Sequence, residues 1–366
     1  MTAAATAIGT SEAVQAAVDR LRRDAEPLFG STHATVVPVT RQTRESSEVC
    51  RVRVTTPGHQ EHVFVKVFKP RGSDERSLAE ARHRVRQDFS VTTHVFDALQ
   101  STGDLRAVEA LACYDDLLCL VTREAKGVPL DRLVSTSARW PVSDAALARL
   151  ERALERVGRW IATFQRVAPD PAALPLPIAD VRDYLDTRLT RLIAIPRARF
   201  GEADRRVVLD YFDRLAAGVR ERDLVTVPAH GDITPSNVFV DEDAVTVIDF
   251  GVATRGSTYL DIARLYTQLE FYAAKPQYRP HVIARLQRAA LTGFEPGLPS
   301  DNPLFEICAA QHVVCHFLSH SRQPGMFPAS IYSRHQCRLH RRWLAERAAQ
   351  AEQRTARRHE VASPAL

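Results

Sequence analysis

The sequence predicts an α+β protein in which a strand-rich first part precedes a longer, helix-rich second part. Three observations carry this. Between Ala34 and Lys69 the apolar runs VVPV, CRVRV and HVFVKVF are separated by polar or Gly/Pro-containing turns, as in an antiparallel meander. Beyond Gly127 the segments Asp144–Val167, Ile178–Ile193 and Glu202–Gly218 carry apolar residues at helical steps, with Arg and acidic residues between them. One stretch, Leu224–Gly251, interrupts these helices with short β-type runs (LVTV, NVFV, VTVID) and tight polar turns.

Taken in order, the chain opens with a helical pattern around Val14–Leu28 and then enters the meander. From Ser77 to Gln100, Val85, Phe89, Thr92, Phe96 and Leu99 recur at three- and four-residue steps and predict a helix. A strand pair is expected near Val108–Cys113 and Leu117–Thr122, with Gly127 marking the exit toward the helical part. At 366 residues and 45% hydrophobic content the chain has enough apolar surface for two domains. The expected division is a first lobe over 1–125, a helical lobe over 126–345 and a charged tail over 346–366.

Composition narrows the function classes. A formal charge of +5 is mildly basic, and the basic residues are not interleaved with aromatics as a nucleic-acid stacking platform requires, so no nucleic-acid partner is expected. The six cysteines form no C-x-x-C pair, which argues against a zinc ribbon or disulfide framework and for a reducing, cytoplasmic setting. The N-terminus lacks the pattern of a signal peptide, and no apolar run reaches the roughly 18 residues of a spanning helix. A soluble protein is expected, with peripheral membrane contact left open.

The chemistry concentrates in HGDITPSNVFV, residues 230–240, which places Asp232 five residues before Asn237, and in VIDFG, where Asp249 follows Asn237 by twelve. Phosphoryl transfer needs an acid to orient or deprotonate the attacking hydroxyl and oxygen ligands for Mg²⁺ on the nucleotide phosphates. Asp232, Asn237 and Asp249 supply that set. A turn role for Asp232 and a helix-cap role for Asp249 are the plain structural alternatives.

On HGDITPSN and IDFG the chain resembles the kinase superfamily, and within it the aminoglycoside-phosphotransferase and choline-kinase-like small-molecule kinases. The resemblance implies a two-lobed, protein-kinase-like α+β fold with a small antiparallel-sheet N-lobe, and ATP and Mg²⁺ as cofactors. It also implies Asp232 as catalytic base, His230 bracing its loop, and Asn237 and Asp249 as the Mg²⁺ ligands. Upstream, a strand lysine for the nucleotide phosphates and a helical acid paired with it are then expected. Lys66 in HVFVKVF shares a strand face with Phe64 and Phe68. Asp88 shares a helix face with Val85, Thr92 and Val95, and Glu80, fourteen residues after Lys66, is the alternative acid. No G-x-G-x-x-G precedes the lysine strand; Ser46 and Ser47 stand where the phosphates would be covered. By the same resemblance Arg123–Ala125 form the hinge, with Glu124 and Ala125 at the adenine edge.

Only twelve residues separate Asp249 from Asp261, no A-P-E follows, and Thr234 stands where protein kinases carry lysine; this disfavours a protein acceptor and points to the hydroxyl of a small molecule. Between Glu306 and Glu346 there is no acid, while His312, His316, His320, Arg322, Arg334, His335, Arg338, His340, Arg341 and Arg342 fall inside. That balance suits an anionic or neutral acceptor, such as a sugar, glycan or lipid-linked compound, better than a cationic aminoglycoside. The four-residue repeat of His312, His316 and His320 also has the spacing of a metal-ligand face, against the plainer reading of packed or exposed histidines. A catalytically inactive nucleotide-binding protein of the same fold is the alternative, although Lys66, Asp232 and Asp249 are all retained.

Overall fold

A computed structural model describes residues 11–44, 46–322 and 329–362. The first helix, α1 (Glu12–Arg23), begins at Ser11, whose Oγ accepts the Val14 N–H; its Val14, Ala17, Val18 and Leu21 form a buried stripe at helical spacing. It is followed by α2 (Ala25–Phe29) and by three long strands, β1 (Thr35–Thr43), β2 (Ser47–Thr56) and β3 (His59–Phe68). Asp74 caps α3 (Glu75–Leu99) through the Ser77 N–H. Then come β4 (Leu105–Ala107), β5 (Ala110–Tyr114), β6 (Cys119–Arg123), β7 (Val128–Pro129) and α4 (Leu130–Ser137). The helical part contains α5 (Asp144–Val167), β8 (Leu174–Pro175), α6 (Ile178–Ile193), α7 (Glu202–Ala216) and β9 (Val225–Ala229). A hairpin, β10 (Val238–Val240) and β11 (Val245–Val247), precedes β12 (Thr254–Ser257), α8 (Leu260–Ala273), α9 (Pro280–Phe294), α10 (Pro303–Arg322) and α11 (Ala329–Ala362).

The chain forms two compact units that are discontinuous in sequence. The first comprises Met1–Leu133, Arg166–Asp170 and His230–Thr254; the second comprises Val134–Gln165, Pro171–Ala229 and Arg255–Leu366. Segment 230–254, expected in the second lobe, is therefore grouped by its contacts with the first.

In the first unit five strands pair antiparallel in the order β1-β2-β3-β6-β5. Strand alternation gives the sheet two different faces. Val63 and Val65 of β3, with Val52 and Val54 of β2, pack under α1, whereas Phe68 and Leu120 pack with Ala81 and Val85 of α3. The hairpin β10–β11 lies in a second sheet, β4-β11-β10-β7. Its β4 was not anticipated, because three residues carry no readable alternation; it pairs parallel with β11, Leu105 opposite Val245. Gly127 makes the approach of β7 to β10 feasible: it has φ +98°, and a Cβ there would lie 2.3 Å from the Val240 carbonyl oxygen.

In the second unit Leu185 and Leu189 of α6, Tyr211 and Phe212 of α7 and Phe317 of α10 form a core against which Leu344 and Ala348 of α11 pack. The α11 helix runs unbroken through residue 346, where the charged tail was expected to begin. Between α10 and α11 the histidines meet one another: His316 Nδ1 lies 2.7 Å from His340 Nε2, and the His320 ring centroid is 4.4 Å from that of His316. Gln268 of α8 donates to His312 Nε2 at 3.0 Å. Among the described residues no group of three or more His, Cys, Asp or Glu is placed to hold a metal ion.

Burial, reinforced by the neighbouring histidines, pushes His316 down to about 3 and His340 down to about 4; burial and the charge of Arg264 hold His312 well below its ordinary value. These groups fold neutral, whereas the unfolded chain binds protons below about pH 6.5. Their stabilisation is thus fully present above that value and is lost as pH falls toward 4. At about pH 5 the expected loss is on the order of 2 kcal/mol for His340 alone. Urea midpoints at about pH 7.5 and pH 5 check this, with His340→Gln losing less than the wild type on acidification.

Candidate active site

Three charged groups meet in the first unit. Lys66 Nζ donates to Asp88 Oδ2 at 3.0 Å and to Asp249 Oδ1 at 2.7 Å. The placement of each follows from its element. Lys66 lies on the face of β3 opposite Val63, Val65 and Val67, and its ammonium stands 4.4 Å from the Phe68 ring centroid. Asp88 belongs to the inward stripe of α3 with Val85, Thr92 and Val95, and is 1% exposed. It also accepts the Phe250 backbone N–H at 2.9 Å and the Thr92 hydroxyl at 3.3 Å. Glu80, the other acid considered for Lys66, is exposed and pairs with Arg76. The short Asp side chain is matched by Gly251, whose missing Cβ would come within 3.2 Å of Asp88 Oδ2.

Burial disfavours the charged form of Lys66, but the Asp88 and Asp249 carboxylates overcome it and raise its pKa. Burial raises the pKa of Asp88. Burial also opposes ionisation of Asp249, yet the adjacent Lys66 ammonium holds its carboxyl below the ordinary value. Replacing Asp88 with Ala strips Lys66 of one partner and leaves the Phe250 N–H unpaired. An expected loss of about 3–5 kcal/mol is measurable by chemical denaturation, larger than for Glu80→Ala, where an exposed i,i+4 pair contributes about 0.3–0.5 kcal/mol.

Asp249 has φ 71°, the left-handed region that a non-glycine residue seldom occupies. Its neighbours hold it there. The Ile248 N–H donates to the Asn237 carbonyl at 3.1 Å, the Ile248 carbonyl accepts from His230 Nε2 at 3.1 Å, and the Phe250 N–H is bound by Asp88. Such locally strained backbone persists where surrounding contacts over-determine it, commonly at functional sites.

Residues 230–237 form the adjoining loop. His230 is fully buried, and its Nδ1 accepts the Asp232 N–H at 3.2 Å while Nε2 donates to Ile248. Both ring nitrogens are engaged with backbone, and the imidazole ties Asp232 to the strand end that carries Asp249. Gly231 turns the loop at φ +77°, where a Cβ would lie 2.5 Å from the Val252 carbonyl oxygen. The Asn237 amide donates to the Asp232 carbonyl at 3.0 Å and to Asp232 Oδ2 at 3.2 Å. Spending its NH₂ on Asp232 leaves the Asn237 side-chain oxygen as a free acceptor.

These groups border a cavity of about 350 Å³. Val49, Phe64, Leu120, Phe239 and Ile248 give it apolar walls; Lys66, Asp249, Asn237, Arg44 and Ser47 give it a polar end. Ala125 lines it, whereas the Glu124 carboxylate is bound by the Arg51 guanidinium at 2.7 and 2.8 Å. Ser46 is exposed, and neither it nor Asp232 is among the lining residues. Sequence reasoning missed Phe239, Ile248 and Asp131, which also line the cavity. The period-2 pattern of NVFV and VTVID was the available signal for the first two, since it sets Phe239 opposite in facing to Val238 and Val240.

The chain is similar in structure to a candidate aminoglycoside phosphotransferase from Ralstonia eutropha, with TM-score 0.59 and 14% identity over 91% of this chain and 98% of that one. It is also similar to choline kinase from Cryptosporidium parvum, with TM-score 0.53 and 8% identity over 93% and 97% of the two chains. An aminoglycoside phosphotransferase from Alicyclobacillus acidocaldarius gives TM-score 0.52 and 14% identity over 96% and 98%. At these identities the likeness shows the fold. A search of the curated proteins returns no match. The family model described as the phosphotransferase enzyme family matches residues 42–301, a span that contains Lys66, Asp88, Asp232, Asn237 and Asp249, and the chain belongs to that family.

Proposed function

We propose that the protein is an active, Mg²⁺- and ATP-dependent kinase that phosphorylates a hydroxyl of a small molecule, working in the cytoplasm. The observation that carries this reading is the Lys66 ammonium held between Asp88 and Asp249 at the polar end of a cavity that Val49, Phe64, Leu120, Phe239 and Ile248 line with apolar surface. A nucleoside needs apolar walls, and its phosphates need a fixed cation. Lys66 is fixed by its two carboxylates and meets the phosphate chain.

Asp249 and the free oxygen of Asn237 are hard oxygen donors suited to Mg²⁺, an ion that keeps several waters and takes the rest of its ligands from phosphates. Two protein oxygens are enough for that role, consistent with the lack of a larger carboxylate cage among the described residues. The ion, when bound, neutralises charge on the transferring phosphoryl group. Asp232, set outside the cavity lining but bonded to Asn237 within it, orients the acceptor hydroxyl and takes its proton. His230 positions this loop without touching substrate.

The acceptor is proposed to be anionic or neutral, although the structure tempers the charge argument. Burial holds His312 and His316 of α10 neutral, and Arg341 and Arg342 are paired with Asp204 and Glu346. Arg322, Arg334, His335 and Arg338 of that stretch stand exposed as well. The experiment is transfer from radiolabelled ATP, with and without Mg²⁺, to sugar phosphates, neutral glycans and aminoglycosides. Mg²⁺-dependent labelling of an anionic or neutral hydroxyl compound supports the reading; labelling of aminoglycosides alone reverses the acceptor assignment.

A further inference from the structure

A second cavity, about 530 Å³, opens on the first unit beside the triad. Its walls come from three segments: Lys69, Pro70 and Arg71 after β3, the first turns of α3, and Gly251 with Val252 just past Asp249. Lys69, Arg71, His83 and Arg84 line it against one acid, Glu80, which is already paired with Arg76. The Arg84 guanidinium lies 5.5 Å from the Phe68 ring centroid, and its Nε is buried with no hydrogen-bond partner. A buried guanidinium donor without an acceptor is costly. Lys69 is only partly committed, 3.4 Å from Glu48 and 3.3 Å from the Arg44 carbonyl, while Arg71 and His83 are exposed.

None of these residues except those flanking the triad takes part in the chemistry proposed above. Lys69, Arg71 and Arg84 are absent from the lining of the first cavity. The two spaces are separated by a thin layer, in which Gly251 lies against Asp88.

We propose that this cavity is a second anion site, which takes the phosphate group of a small phosphorylated metabolite between Lys69, Arg71 and Arg84. Guanidinium groups match the geometry of a phosphate dianion bidentately, and Lys69 adds a further positive charge. The volume exceeds what a free phosphate ion fills, so the ester is the expected ligand. Its occupant would touch both the α3 turns that lead to Asp88 and the segment that follows Asp249.

The test is isothermal titration of the full-length protein with inorganic phosphate and, separately, with glucose 6-phosphate. Wild type, Arg84→Gln, Arg84→Lys, Arg71→Gln and Lys66→Met are compared. Saturable binding is expected, weakened at least about tenfold in Arg84→Gln and in Arg71→Gln, partly restored in Arg84→Lys and unchanged in Lys66→Met. Tighter binding of the ester identifies a phosphorylated metabolite, and tighter binding of the free ion identifies phosphate itself. Absence of binding, equal affinity in all five proteins, or loss confined to Lys66→Met overturns the proposal, the last by placing the anion in the first cavity. Arg71 is exposed, so its substitution reads the site even where Arg84→Gln compromises folding. Because none of these outcomes requires ATP to bind, failure here is separable from failure of the kinase reading.

Discussion

Asp232→Asn is expected to lower kcat by about 10²–10⁴-fold, the usual contribution of a positioned general base, with nucleotide affinity nearly unchanged. The substitution isolates the proton-accepting oxygen. The Asp232 backbone carbonyl, which receives the Asn237 amide and the Thr234 N–H, is untouched, and so is its N–H bond to His230. An amide oxygen in place of Oδ2 still accepts from Asn237, so the loop keeps its shape while losing the group that takes the hydroxyl proton. Single-turnover transfer to the best acceptor, together with nucleotide titration, reads the two quantities separately. If turnover falls less than about threefold, Asp232 is a turn residue and the base lies elsewhere; if nucleotide affinity collapses as well, the substitution has disturbed Asn237.

The parts of this arrangement that depend on regular periodicity were open to sequence reasoning. Alternation in HVFVKVF puts Lys66 on the face opposite the valines, and the helical stripe from Val85 to Val95 turns Asp88 inward; both are local patterns that survive in the structure. The close approach of Gly251 to Asp88 is a contact between positions 163 residues apart that no local pattern encodes. The same holds for β4, a three-residue strand defined only by its pairing with β11. The basic stretch of α10 and α11 carries less charge than its composition counts, for a related reason. Composition counts charges, but burial decides whether histidines carry them, and here His316 and His340 are buried against one another and are neutral. The Glu124 carboxylate is bound by Arg51 from β2, whereas the contact expected at the adenine edge belongs to backbone groups of the hinge.

Asp249→Asn is expected to abolish the Mg²⁺-dependent part of nucleotide binding while the protein stays folded. Asn suits this position better than Ala does. At φ 71° the left-handed backbone costs most L-residues about 1–2 kcal/mol, and Asn is among the few that visit it routinely, so a loss seen in Asp249→Ala would mix strain with chemistry. Lys66 retains Asp88 as partner in the variant, which keeps the ammonium anchored and preserves its contribution to phosphate binding. What disappears is the anionic oxygen, one of the two that the chain offers to a hard cation. In a thermal-shift titration, ligand at 100 times its dissociation constant adds about 2.7 kcal/mol to the native state, a rise of several degrees in midpoint. The wild type should show a larger rise with ATP and Mg²⁺ than with ATP alone, and the variant should show the same small rise in both. An Mg²⁺ increment of equal size in the two proteins would remove Asp249 from the metal site and with it the reading of its strained backbone as a functional feature.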